Sequence, residues 1–406
     1  MTKAVTEASP RGLRAPGTTT MVVGGLAGAV LAYAFQAVGT RALGDVGFAP
    51  IAAIWTAFFI IASVLFVPLE QYVTRETSRG RAIADDMRVI LTVGVLSVLA
   101  GAAYVSLGLD TPLFAGQPAY ILVMSLLAVG YTVLFTAKGV LAGNRRFAEV
   151  GWVLGLEGVL RLVAGVALLA IAVDASVFVW AMVVAPLSAL MLRFWRHDRA
   201  EPDVVPVGAG RFLGAYIAGS SASQVMLAGA PLGVAALGGS TALFSVVFVT
   251  FTLYRAPLTL IYSLQSRILP YLVALAGEGD HRGLRRIALR IVVVGTALTA
   301  LGGFVGWLVG PEVVGLLFSE EFIPARAVAM LVAGGVMAGA TAQVGGQVLV
   351  ARARTAALAS AWVVGLLVAV AVMLLSAGTP DLRVAAGFAA GEVVAMAAVA
   401  LLVTRS

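Results

Sequence analysis

Apolar residues run along this chain in blocks of about 20 separated by short polar connections, and a block of that length is what a helix needs to cross the hydrocarbon core of a bilayer. The pattern predicts twelve membrane spans, near residues 19–40, 48–73, 87–108, 118–142, 150–173, 176–195, 211–237, 241–272, 285–309, 322–350, 355–376 and 382–403. The longest polar connection, 193–211, follows the sixth span and carries Pro202 and Pro206, which break helix. The predicted organisation is therefore all-helical: a disordered cytoplasmic tail at 1–18, a six-helix lobe at 19–195, a linker at 196–210 and a second six-helix lobe at 211–406.

Charge placement sets the orientation. Of the 27 Lys and Arg residues, 22 fall in the terminal segments and alternate loops of one side, and only Arg41, Arg326 and Arg383 fall on the other. Arg161 and Arg255 lie within spans. The positive-inside rule then places both termini in the cytoplasm, in a plasma (inner) membrane protein. Basic residues scattered through short loops mark membrane orientation, so the formal charge of +7 does not point to nucleic acid.

The polar positions inside the spans are the candidate chemistry. In the eighth span Thr252, Arg255, Thr259, Tyr262 and Ser266 fall within about 80° on a helical wheel, making one wet stripe. An arginine in mid-membrane costs roughly 2.5–3.5 kcal/mol on insertion scales, so Arg255 is expected either to line a polar cavity or to snorkel or prop the bundle. The first span carries Tyr33, Gln36 and Thr40 on one face, and the second carries Thr56, Ser63 and Glu70 at intervals of seven. Gln224 in the seventh span and Gln343 and Gln347 in the tenth add further polar atoms. One cavity between two lobes would account for these stripes, and hydroxyls bonded to their own helix carbonyls would account for part of them.

Glu157 and Arg161 stand four apart in the fifth span with the acid N-terminal, the favourable order for a helical ion pair. Two readings stay open: a self-neutralising structural pair, or an Arg161 that meets an anion while Glu157 holds it or exchanges protons. Glu392, alone in the twelfth span, is either packed as a neutral acid or a proton-coupling site. Gly302, Gly306 and Gly310 lie on one face of the ninth span, where another helix can approach closely.

Composition narrows the class. Apolar residues make up 61% of the chain, charged residues 12% and the mean hydropathy is +1.01, a mixture that no soluble protein of this length carries without aggregating. With no cysteine and two isolated loop histidines, His197 and His281, disulfides and cysteine-ligated metal sites are excluded, and no metal or cofactor site is expected. There is no ATP-binding loop, zinc-protease motif or nucleophile elbow, so an enzyme is not expected.

Several stretches resemble the polysaccharide-transporter branch of the multidrug/oligosaccharidyl-lipid/polysaccharide exporter superfamily, which contains the O-antigen flippases. The turn between the first two spans, with Arg41, Leu43, Gly44, Gly47 and Phe48, is similar to the family's opening turn. RAPLTLIYSLQSRILPYL resembles its eighth helix, and GLLFSEEFIPARAVAMLVAGG resembles the approach to its tenth. The resemblance implies two six-helix lobes around a central cavity, the MATE-like fold. It also implies flipping of a polyprenyl-diphosphate-linked glycan from the cytoplasmic to the outer leaflet, with a proton or sodium ion as coupling partner and a glycan polymerase or glycosyltransferases as neighbours. A diphosphate suits the guanidinium fork of Arg255 first and of Arg161 second. Two other readings remain: cation-coupled export of small organic molecules, and a non-transporting scaffold of a glycan-synthesis complex.

Overall fold

A computed structural model describes residues 17–80, 82–191, 222, 224–256, 258, 272, 275, 281–352 and 354–404. The expected tail and interlobe linker lie outside them. Among the described residues, nine helices are long and apolar enough to cross a membrane. They are α1 (Thr18–Gly47), α2 (Ala49–Ser78), α3 (Met87–Gly108), α4 (Ala119–Gly143), α5 (Phe147–Ile171), α9 (Arg286–Leu317), α10 (Arg326–Ala351), α11 (Thr355–Leu375) and α12 (Pro380–Thr404). The sixth and eighth expected spans appear as shorter apolar helices, α6 (Ala175–Met191) and α8 (Thr241–Tyr254). The seventh is described mainly by α7 (Ala230–Ala236).

The chain divides into two compact units, one of Met1–Ala42 with Leu65–Gly214, the other of Leu43–Val64 with Ala215–Ser406. In the first unit α1 and α5 come together backbone to backbone. A Cβ on Gly24 would sit 2.1 Å from the Gly151 carbonyl oxygen, and one on Gly151 only 2.3 Å from that of Thr20, so both positions exclude a side chain. In the second unit α9 lies against α10 along the predicted glycine face, where Gly302 meets Met337 and Gly306 meets Ala333.

Helix α2 is not regular. Its α-helical start, Ala49–Ile61, opens into a π-helix at Ala62–Phe66 before α-helix resumes at Val67–Ser78. Pro68 contributes directly, because it has no N–H to offer the carbonyl of Val64 one turn earlier.

Arginines meet backbone carbonyls left open by a proline or a helix end. Pro311 inside α9 leaves the Trp307 carbonyl without its normal donor, and Arg326 Nη1 donates to Trp307 O at 2.8 Å and to Leu308 O at 2.9 Å. Arg326 also pairs with Glu312. Arg383 donates to Met373 O at 3.1 Å and Leu374 O at 2.9 Å, the last carbonyls of α11. Two of the three basic residues on the sparsely charged side therefore have a structural task.

Asp174 caps α6, accepting the Ser176 backbone N–H at 2.7 Å and its hydroxyl as well. The Ser176 hydroxyl, followed by backbone N–H groups, holds the Asp174 carboxyl below its ordinary value. A folded-state value below the unfolded one gives stability that is present above the unfolded pKa and lost as pH falls through the folded one. Thermal melts in detergent should therefore show a stability loss on acidification that is smaller in Asp174→Asn. In the same assay Arg326→Ala should lose ~1 kcal/mol and Arg326→Lys less, since lysine retains the charge without the fork.

Candidate functional site

In the first unit the Glu157–Arg161 pair is formed, and a third residue joins it. Tyr131 of α4 donates its hydroxyl hydrogen to Glu157 Oε1 at 2.6 Å and accepts from Arg161 Nη2 at 2.7 Å. Tyr131 and Arg161 are both buried, so the guanidinium is compensated inside the helix bundle. Sequence reasoning missed Tyr131, since nothing in the spacing between residues on different helices places it there.

A second ion pair lies nearby in the chain. Lys138 Nζ donates to Glu70 Oε2 at 2.8 Å and sits 4.1 Å from the centroid of the Phe135 ring. The charge count assigns Lys138 to a loop; it belongs to α4, with its side chain 13% exposed. Phe66, the last residue of the π-helix, stacks on Phe135 at 5.5 Å and on Tyr131 at 6.5 Å between ring centroids. The π-helix thus ends against the ring that holds the Glu157–Arg161 pair.

In the second unit Arg255 stands at the C-terminal end of α8 rather than in mid-helix. The Arg255 side chain turns toward α2, its guanidinium carbon 3.6 Å from the centroid of the Phe59 ring. That contact gives a cation–π stabilisation of about 0.5–2 kcal/mol. One turn earlier, Phe251 packs edge-on against Phe388 of α12 at 4.9 Å.

The remaining polar positions are dispersed. Thr40 and Ser63 donate to their own helix, at Ala37 O and Phe59 O, and Gln347 Nε2 donates to Gln343 O. Gln36 is buried with its Oε1 lacking a hydrogen-bond partner in the structure, while Tyr33, Gln224 and Gln343 are half-buried. Glu392 is 3% exposed on α12, and a Cβ on Gly339 of α10 would lie 2.4 Å from its Oε2. Thr259, Tyr262 and Ser266 lie outside the described residues. The groove between α3 and α4, from Met87 to Thr136, is apolar and holds none of the predicted polar residues.

The buried triad makes a stability prediction. Arg161→Ala should cost about 3–5 kcal/mol, because it strands the Glu157 carboxylate, whereas Tyr131→Phe should cost ~1 kcal/mol. The double variant Glu157→Gln/Arg161→Gln should melt above Arg161→Ala in a detergent thermal-shift assay, since it removes both charges together.

No protein-family model matches the chain. An uncharacterized protein of Mycobacterium bovis is 27% identical over 371 residues, covering 86% of this chain and 81% of that protein. Among solved structures, the inward-facing conformation of a multidrug resistance MATE family transporter of the MOP superfamily aligns with TM-score 0.70 at 15% identity, covering 96% of this chain and 97% of that one. A MOP superfamily transporter from Pyrococcus furiosus aligns with TM-score 0.67 at 15% identity, covering 96% and 94%. With its all-helical described core and its apolar spans, the chain is a multi-pass membrane protein with the fold of the MATE transporters of the MOP superfamily.

Proposed function

We propose that this chain is a flippase that carries a polyprenyl-diphosphate-linked glycan from the cytoplasmic to the outer leaflet, with both termini in the cytoplasm of a bacterial-type plasma membrane. The observation that carries the reading is Arg255: a permanent cation at a helix break, turned to an aromatic ring of α2. A diphosphate is a multiply charged anion that hydrocarbon excludes, and the guanidinium fork meets phosphate oxygens two at a time. Arg161, held by Glu157 and Tyr131, is the second candidate for the diphosphate. The aligned Pyrococcus furiosus transporter is described as having a binding pocket of reverse polarity that suggests a different function. Here the cationic side chain of Arg255 supports an anionic cargo.

A second reading is cation-coupled export of small molecules, favoured by the multidrug transporters that share the fold and by the buried carboxyl of Glu392. The two separate by mass spectrometry of polyprenyl-linked glycans in cells with and without the gene. Loss of the gene should accumulate one completed repeat unit shielded from external probes, and Arg255→Gln should restore flipping at a rate about tenfold or more below wild type, the cost of a charge-assisted phosphate contact. An unchanged lipid-linked pool would refute the flippase and favour the exporter.

A further inference from the structure

Helix α9 is longer than the hydrocarbon it crosses. It is continuous from His281 to Leu317, beginning before its span of Arg286–Leu317, and it carries Arg286 and Arg290 one turn apart near its start. From Ile291 to Pro311 no residue is charged, and that stretch rises about 31 Å, the thickness of the hydrocarbon core. Glu312 then marks one boundary and Arg290 the other. Arg286 stands about 6 Å further out, at the depth of the lipid phosphates.

The two arginines lie on the face that α9 turns to lipid. At 100° per residue Arg286, Arg290, Val293, Leu301, Phe304 and Leu308 fall within about 80° of one another. The four apolar members are 48–68% exposed, so their stripe is the outer face of the helix. Arg286 and Arg290 are exposed on the same stripe, and among the described residues neither side chain makes an ion pair or hydrogen bond.

This end of the second unit is also short of anions. Residues 281–311 and 351–380 hold no Asp or Glu, and Glu278 and Asp280 precede the helix, outside the described residues. Helix α10 runs antiparallel beside α9, with Gly295 against Thr341, Gly302 against Met337 and Gly306 against Ala333, which brings the end of α10 to the level of Arg286. There Arg352 and Arg354 donate to the carbonyls of Val403 and Leu402 at 3.4 and 3.3 Å. Burial, and then the neighbouring charge of Arg354, hold the Arg352 guanidinium below its ordinary value, the mark of a positive field at this end.

We propose that Arg286 and Arg290 form a binding site for the phosphate of an anionic phospholipid, whose acyl chain lies along Val293 and Leu301 on the same face of α9. Two guanidinium forks one turn apart can close on the oxygens of one phosphodiester. A zwitterionic lipid brings a cation with its phosphate, which two arginines repel, so the site selects net negative charge. The leaflet is the cytoplasmic one in the orientation proposed above; the site itself does not rest on the flippase reading.

Native mass spectrometry of the full chain from mixed micelles of phosphatidylglycerol and phosphatidylcholine reads the site directly. Wild type should retain phosphatidylglycerol over phosphatidylcholine about tenfold or more, the scale that two surface cations supply. Arg286→Gln/Arg290→Gln should lower that ratio about tenfold, and Arg286→Lys/Arg290→Lys should keep part of it, since lysine has the charge without the fork. Both variants should melt with wild type in phosphatidylcholine nanodiscs, because the two side chains are exposed. Arg88→Gln/Arg145→Gln removes the same charge from exposed positions of the first unit and should leave the ratio unchanged. Equal retention of the two lipids by wild type overturns the site. An equal loss in both glutamine variants overturns it too, by assigning the preference to overall charge. Either result leaves the flippase reading standing.

Discussion

A charge held among apolar helices must be compensated by the protein, because hydrocarbon offers it neither water nor counter-ion. The interior of this molecule is arranged around that requirement. Arg161 receives a carboxylate from its own helix and a hydroxyl from the next, so its neutralisation ties α4 to α5. Lys138 receives Glu70, which ties α4 to the part of α2 beyond the π-helix. Arg255 has among its contacts the face of the Phe59 ring, which stabilises a cation through its quadrupole.

The same economy governs the backbone. A proline in a membrane helix leaves a carbonyl without its usual donor, and two instances here have a visible consequence. At Pro311 the vacancy is filled by Arg326, and at Pro68 the helix widens before the interruption. Helix ends and π-turns are where a membrane protein can present polar groups without breaking a continuous ladder.

Much of the fold was legible in the sequence because the bilayer imposes a simple rule on it. Length and apolarity identify spans, and α9 met α10 on its glycine face because absence of a side chain is a property of the residue alone. The Glu157–Arg161 pair was readable for a related reason, as residues four apart on one helix are neighbours in any fold. Polar stripes were less informative. Thr40, Ser63 and Gln347 spend hydrogen bonds on their own helices, an option that a helical wheel cannot distinguish from a wet face.

By itself the sequence determined that this is a multi-pass helical membrane protein and that Glu157 and Arg161 share one helix face, because both follow from local composition and helical period. Only the tertiary structure decided how the arginines are met. Tyr131 bridges a pair 26 residues further along the chain, and Phe59 reaches an arginine in the other half of the sequence. It also decided that Leu43–Val64 packs with the second unit. Such contacts depend on which helix faces stand together, and the energy that selects them is spread over whole interfaces of packed side chains rather than written in any one segment.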